Sequence, residues 1–406
     1  MSESVIPLDA PPSGVPPITD TPEALERALD LLAAGAGPVA ADSERASGFR
    51  YYVRAEVVQL FRRGSGLVLI DARALPDLST VSRALADTEW VFHAASQDLP
   101  CLRDCGIEPG RIFDTELASR LLGEPKVGLA SVVARTLGLG LAKEYSAQDW
   151  SRRPLPESWL NYAALDVAIL LDVRDVLEGE LEEAGKLGIA QAEAAAVLAA
   201  TPPASRQEPW RRTSGRHSLK SPRQLAVARS LWMARDRLAA KRDIFPGRVL
   251  PDAAIIAAAA ALPTSIQGLA KIHPFNGRRQ IKLLSYWWEA VLEGESLPLD
   301  QLPQVRGPRH GTVPPVRQWA RRHPAAASRI AQVKSDLAAL SEARQIPVEN
   351  LMQPELVRSV VFQAPRNVRA AMAAGGARPW QIEAVAPLVT AAAEAYPEPP
   401  SRRQEH

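Results

Sequence analysis

The feature that most restricts this chain is where its β-rich runs stop. Short runs of strand character lie at Val39–Ala41, Glu56–Phe61, Leu67–Asp71, Trp90–Ala94 and Arg111–Asp114, and beyond Leu181 the apolar residues follow helical spacing only. Glu56–Phe61 and Leu67–Asp71 flank Arg62-Arg63-Gly64-Ser65-Gly66, whose glycines suit a hairpin turn. The later runs alternate with helical segments: Ser79 to Asp87, Asp98 to Gly106, a segment ending at Leu122, Gly128 to Leu137, and a long stretch from Pro156 to about Glu182. A hairpin followed by alternating strands and helices predicts an α/β domain, a mixed sheet with flanking helices. Thr21-Pro22-Glu23 opens the first helix with an N-cap residue, a proline at the first position and an early acid. The second half predicts all-α bundles.

Within the α/β half, three segments carry acids in a suggestive order. Val39-Ala40-Ala41 runs straight into Asp42-Ser43-Glu44. Residues i and i+2 of a strand share a face, so Asp42 and Glu44 project side by side, as hard oxygen ligands for a cation such as Mg²⁺ or Mn²⁺ would. Asp98 follows the Trp90 strand at a helix start, and Tyr162 and Asp166 lie one helical turn apart. The triplet alone is a common surface pattern; the three segments together are not.

Composition narrows the setting. The 406 residues allow two to four domains at an ordinary 46% apolar content. No apolar run reaches the roughly 18 residues that span a bilayer. Met1 to Pro17 is Pro-rich and lacks a basic-then-apolar export pattern, so it reads as a disordered leader and the cytoplasm is the expected location. Cys101 and Cys105, without clustered His ligands, read as reduced helix residues. Net charge is +2, yet Arg206 to Arg242 is strongly basic, with only Glu208 and Asp236 opposing. Such a run is the footprint of a nucleic-acid-facing segment.

The acids, with Gln148-Asp149-Trp150-Ser151-Arg152-Arg153-Pro154-Leu155, Leu137-Gly138-Leu139 and Lys143, resemble the Tyr-containing branch of the DEDD exonuclease superfamily, and within it the ribonuclease D family. The resemblance covers about residues 20–180. It implies a ribonuclease H-like sheet, with Asp42, Glu44, Asp98 and Asp166 holding two divalent ions and Tyr162 orienting the attacking water. Ser43 stands where Thr is more usual. Weaker candidates for substrate contact are His93, Gln59, Tyr52, Arg152 and Arg153; Trp150 reads as core.

Thr201-Pro202-Pro203-Ala204-Ser205 looks like a linker. Beyond it, a shift of 102 positions superposes Arg242-Asp243-Ile244 on Arg344-Gln345-Ile346 and Pro263 on Pro365, an internal repeat. The first copy resembles the helicase-and-ribonuclease-D C-terminal (HRDC) module through Leu231, Arg235, Leu238, Ala239, Arg242, Asp243, Pro246, Val249, Leu250, Ala270 and Ile272; the second is diverged. The expected division is a leader 1–17, an exonuclease domain 18–200, a basic linker 201–214, an HRDC domain 215–295, a linker 296–316, a diverged HRDC-like domain 317–396 and a disordered tail 397–406. Arg211, Arg212 and Arg242 are candidate RNA contacts, and Trp287 and Trp288 could stack on bases or pack in the core. The resemblance implies a 3′–5′ exoribonuclease that acts on RNA 3′ ends such as tRNA precursors, with no membrane and no obligate protein partner. The alternatives left open are a DNA exonuclease of the same superfamily and a catalytically silent nucleic-acid-binding protein.

Overall fold

A computed structural model describes residues 5–141, 145–201, 207–306 and 313–398. Two short strands come first, β1 (Ile6–Leu8) and β2 (Ile18–Thr19). Helix α1 (Pro22–Ala34) begins as its sequence demands: the Thr21 side chain accepts from the Ala24 N–H, with Pro22 at the first position. Strands β3 (Ala36–Arg45), β4 (Ala55–Arg63) and β5 (Gly66–Asp71) follow, then α2 (Ser79–Ala84), β6 (Glu89–Phe92), α3 (Leu99–Asp104) and β7 (Arg111–Asp114). Helices α4 (Thr115–Leu121) and α5 (Leu129–Leu137) lead to β8 (Leu139–Leu141). The stretch expected as one long helix is two, α6 (Glu157–Ala168) and α7 (Leu170–Glu183), parted at Ile169, followed by α8 (Leu187–Ala199).

The main sheet has the order β2-β5-β4-β3-β6-β7. The β3–β4 and β4–β5 pairs are antiparallel; β2–β5, β3–β6 and β6–β7 are parallel. Side-chain alternation along β3 sorts its residues between two layers. Val39 and Ala41 pack with Leu25 and Leu29 of α1, whereas Ala40 packs with Val167 and Leu170 of α6 and α7. Asp42 and Glu44 share the face of Ala40, so the same alternation that builds the core aims both acids at α6.

The leader is a correction. Ile6–Leu8 pairs in parallel with β8, and the Asn161 side-chain amide donates to the Asp9 carbonyl at 2.6 Å. An apolar Ile-Pro-Leu segment gains a strand edge there and orders, whatever its Pro-rich surroundings suggest. Most of the expected tail lies outside the described residues, but Glu398 pairs with Arg329 at 2.5 Å. The linker after Ala200 is half outside them too; its later part, Pro209–Arg212, is a helical turn with Trp210 buried among the first bundle's core residues.

The two helical halves repeat the same skeleton. In the first, α9 (Pro222–Arg242), α10 (Pro246–Val249), α11 (Asp252–Ala261) and α12 (Ile266–Ala270) precede α13 (Arg278–Ile281) and α14 (Leu284–Ser296). In the second, α15 (Trp319–Arg322) leads into α16 (Pro324–Arg344), α17 (Val348–Leu351), α18 (Pro354–Gln363), α19 (Val368–Ala374) and α20 (Pro379–Ala395). Pro222 and Pro324, Pro246 and Val348, Asp252 and Pro354, and Ile266 and Val368 each stand 102 positions apart. The left-handed residues keep the same offset: Asp243 (φ 48°) and Gln345 (φ 49°), Leu262 (φ 46°) and Ala364 (φ 43°). After α12 and α19 the copies part, because α13 has no counterpart.

Candidate active site

A cleft of 520 Å³ opens beside the carboxyl end of β3. Asp42, Glu44, Asp98, Tyr162 and Asp166 all line it. One carboxylate oxygen from each of Asp42, Glu44 and Asp166 lies within 4.8 Å of the others. Asp98 sits beside this trio, held from the far side of β3: the Ser43 hydroxyl donates to its Oδ1 at 2.8 Å. The small residue between the two strand acids thus orients a third acid. Tyr162 lies within hydrogen-bonding reach of Asp166, one turn along α6.

The local backbone explains how Asp98 arrives there. After β6 the chain turns through Ala94, which takes a left-handed conformation (φ 66°) that an L-residue adopts only under constraint. Asp114 supplies that constraint: one oxygen accepts from Ala94 N–H at 3.0 Å and the other from Ala95 N–H at 2.8 Å. The same carboxylate caps α4 through Glu116 and Leu117 N–H. Asp114 was missed at the sequence level; its signal was an Asp closing one strand directly before a helix.

Electrostatics match the crowding. Burial and then the Asp42 charge push Asp98 up to about 8. Glu44 rises well above its ordinary value through burial, then through Asp42, Asp166 and Asp98. Asp166 also rises well above the carboxylate range, by burial first and Asp42 next. Burial and the Asp166 charge push the Tyr162 hydroxyl up, so it is a hydrogen-bond donor and not a base near neutrality. Clustered carboxylates in a polar cleft with raised proton affinities are what a cation site looks like before charge is supplied.

The weaker candidates divide. His93 lines the cleft, and its Nδ1 lies 2.9 Å from Thr115 Oγ1, whose own hydroxyl donates to the Phe92 carbonyl. Gln59 is a correction: it is fully buried, so it cannot touch a nucleotide. It stands opposite Asp42 in the β3–β4 register, in the layer α6 covers, and its amide N and O have no partner. Arg152 is exposed, but Arg153 is spent on structure, with Nε and Nη2 on the two Asp71 oxygens at 2.5 and 2.6 Å and Nη2 also on the Glu56 carbonyl. Trp150 is core, as its sequence context suggested.

In the helical half, Arg211 stacks on Trp210 and binds Glu208, while Arg212 and Arg242 are exposed. Arg235 is buried against Asp252 at 2.6 Å, and Arg223 ties Gly294 and Leu297 carbonyls, so much of the basic run serves the bundle itself. Trp287 is fully buried and donates to Gln280, which removes it from base stacking. Tyr52 lies at a contact between halves: its N–H and that of Tyr51 both donate to Asp243 Oδ1. Lys143 lies outside the described residues.

A family profile described as a 3′-5′ exonuclease matches residues 16–182, one described as an HRDC domain matches 224–291, and one described as a 3′ to 5′ exonuclease C-terminal domain matches 312–393. A ribonuclease D of Acidiphilium cryptum is 32% identical over 312 residues, covering 74% of this chain and 77% of that one. The ribonuclease D of Escherichia coli is 31% identical over 277 residues, covering 66% of this chain and 72% of that one. Among solved structures, a protein from Bifidobacterium adolescentis superposes with a TM-score of 0.89 at 34% identity, covering 96% of this chain and all of the other. The structure of E. coli RNase D, titled an exoribonuclease involved in structured RNA processing, superposes with a TM-score of 0.68 at 25% identity, over 94% and 99% of the two chains.

Proposed function

Because the chain belongs to the ribonuclease D family of 3′–5′ exoribonucleases, we propose that it trims RNA 3′ ends in the cleft lined by Asp42, Glu44, Asp98, Tyr162 and Asp166. The protein is a metal-dependent 3′–5′ exoribonuclease, and its substrate is RNA. Our finer reading is that the cations are two Mg²⁺ or Mn²⁺ ions, that the products are nucleoside 5′-monophosphates, and that structured RNAs such as tRNA precursors are the substrates in the cytoplasm. Residues 18–200 would be the catalytic domain, and 215–295 and 317–396 the modules that hold RNA. No helix among the described residues is long and apolar enough to cross a membrane.

One observation carries the site reading: carboxylate oxygens of Asp42, Glu44 and Asp166 converge within 4.8 Å. The donors fit divalent cations in kind, since every one is a hard oxygen. Asp42, Glu44, Asp98 and Asp166 would hold the ions. Bound there, two ions would supply Lewis acidity toward a water and the phosphoryl group. The residues themselves divide the remaining work. The Tyr162 hydroxyl, kept protonated, orients a water by donating or accepting a hydrogen bond. Ser43 fixes the Asp98 carboxylate, and the Asp114 clamp on Ala94 and Ala95 fixes the turn that presents it.

The test is stepwise shortening of a 3′-hydroxyl RNA by purified protein with Mg²⁺ or Mn²⁺. Asp42→Asn or Asp166→Asn should cut the rate by more than about 100-fold, beyond the usual loss from an outer partner, while RNA binding persists. Wild-type trimming by Asp42→Asn would end the assignment. Parallel tRNA-like, unstructured RNA and DNA ends would rank the substrates.

A further inference from the structure

The cleft contains one side chain that neither the resemblance nor the acid pattern singles out. Arg45 directly follows Glu44 and lines the cleft. Among the described lining residues it is the one Lys or Arg. Its side chain is 25% exposed. Its protein contacts are few. Nη1 donates to the Gln97 carbonyl, and Nη2 stands 3.8 Å from Asp98 Oδ1, too far for a hydrogen bond. Asp98 Oδ1 already accepts from Ser43.

Several other cations are engaged by the protein itself. Arg153 is locked on Asp71 and Arg211 on Glu208 and Trp210. Arg120, on α4, pairs with the cleft residue Glu116 at 2.6 Å. Among the described residues that line the cleft, Arg45 is therefore the one cation, and its hydrogen-bonding capacity is largely uncommitted. Its five donors form a planar fork that suits a phosphate better than a single carboxylate oxygen.

On the two-ion reading given above, four carboxylates would carry about four negative charges and two divalent ions would neutralise them. The Arg45 charge would then be left over. The anion that enters next is the RNA backbone.

We propose that Arg45 is a substrate-binding residue of the cleft, whose guanidinium grips a non-bridging oxygen of a 3′-terminal phosphodiester as the RNA strand enters. The contact is present before and during bond breaking, so it lowers KM more than it raises kcat. It also supplies phosphate affinity in a cleft whose described lining holds no other Lys or Arg. In the free enzyme the same side chain shields Asp98 and competes mildly with the cations.

The variants are Arg45→Gln and Arg45→Lys, each checked for an unchanged thermal transition. Arg45→Gln should raise KM for a single-stranded 3′-hydroxyl RNA about 10-fold, with kcat within about threefold of wild type. In an Asp166→Asn background, equilibrium RNA binding should lose about 0.7 from its salt slope, the contribution of one phosphate contact on a single strand. Arg45→Lys should keep the slope and recover part of KM. Calorimetric titration with Mn²⁺ alone should show binding by Arg45→Gln as tight as wild type or tighter. The proposal falls if KM and the salt slope do not move, or if Mn²⁺ binding weakens, since that would make Arg45 a prop for Asp98. Failure of wild-type protein itself to bind Mn²⁺ or trim RNA would instead overturn the two-ion reading beneath it.

Discussion

The two helical bundles share one skeleton and attach to the catalytic half by opposite means. The second bundle shares an apolar core with it: Val333, Leu337, Met352 and Val385 belong to one buried cluster with Val167, Leu170 and Leu177. Glu193 of α8 reinforces the joint, binding Arg378 through both oxygens and accepting from Trp380 Nε1 at 2.9 Å. Gly123 (φ 82°) closes it further, since a Cβ there would come within 2.9 Å of the Gln345 carbonyl. The first bundle has its own core, against which Tyr51 is the exonuclease-side residue packed. Its joint is polar. Asp243 accepts from Tyr51 and Tyr52 N–H, Tyr51 donates to Asp236, Phe245 N–H donates to the Phe49 carbonyl, and Arg248 reaches the Gly48 carbonyl and stacks on Phe49. The loop it grips, between β3 and β4, is the one that leaves the acid-bearing strand. A repeat can thus be kept for stability in one copy and for contact with a site in the other.

The sharpest way to break that contrast uses matched positions. Leu250 and Met352 stand 102 residues apart and are both buried, at 0% and 1% exposure. Either change to alanine should cost about 2–5 kcal/mol. Calorimetry should show Met352→Ala lowering the transition of the exonuclease half as well, and Leu250→Ala lowering the first bundle alone. Equal behaviour of the two would erase the distinction. Arg378→Ala strands the buried Glu193 carboxylate; allowing for the partial exposure of Arg378, about 2–3 kcal/mol should be lost from the joint transition.

Acidity tests the same division. Asp98 titrates near 8 in the folded chain against 3.8 in the unfolded one. The folded state therefore holds more protons between those values, and the Asp98 contribution to metal-free stability should be full below about pH 4 and be lost as pH rises toward 8. Added Mn²⁺ should abolish the fall. Because Ala40 of the acid-bearing strand lies in the shared core, the second bundle's transition should follow this pH dependence while the first bundle's stays flat. The smallest effect belongs to Tyr51→Phe, which should cost about 1 kcal/mol yet raise protease cleavage within residues 46–54 and lower kcat/KM a few-fold.

Much of this was legible from periodicity. Alternation around Asp42 and Glu44 placed both on one face, Thr21 and Gly138 marked helix ends, and the offset of 102 exposed the repeat. Asp98 and Asp166 needed the family resemblance, because no local pattern says that a helix lies across a particular strand. The same limit hid the partners of Arg153 and Arg211, read as open to RNA but held by Asp71 and Glu208, and the burial of Gln59 beneath α6. A basic run announces charge; only the packed chain says which charges are already answered. Arg45 is illegible for the converse reason: a single cation beside acids carries no pattern of its own.

The pairing of Ile6–Leu8 with β8 has a practical side. Asn161, which grips Asp9, is the immediate neighbour of Tyr162. Whatever is fused upstream of these residues is therefore one hydrogen bond away from the turn of helix that carries Tyr162. An affinity handle placed there without a flexible spacer should be visible in the measured turnover, so kinetic comparisons between preparations need the same upstream sequence.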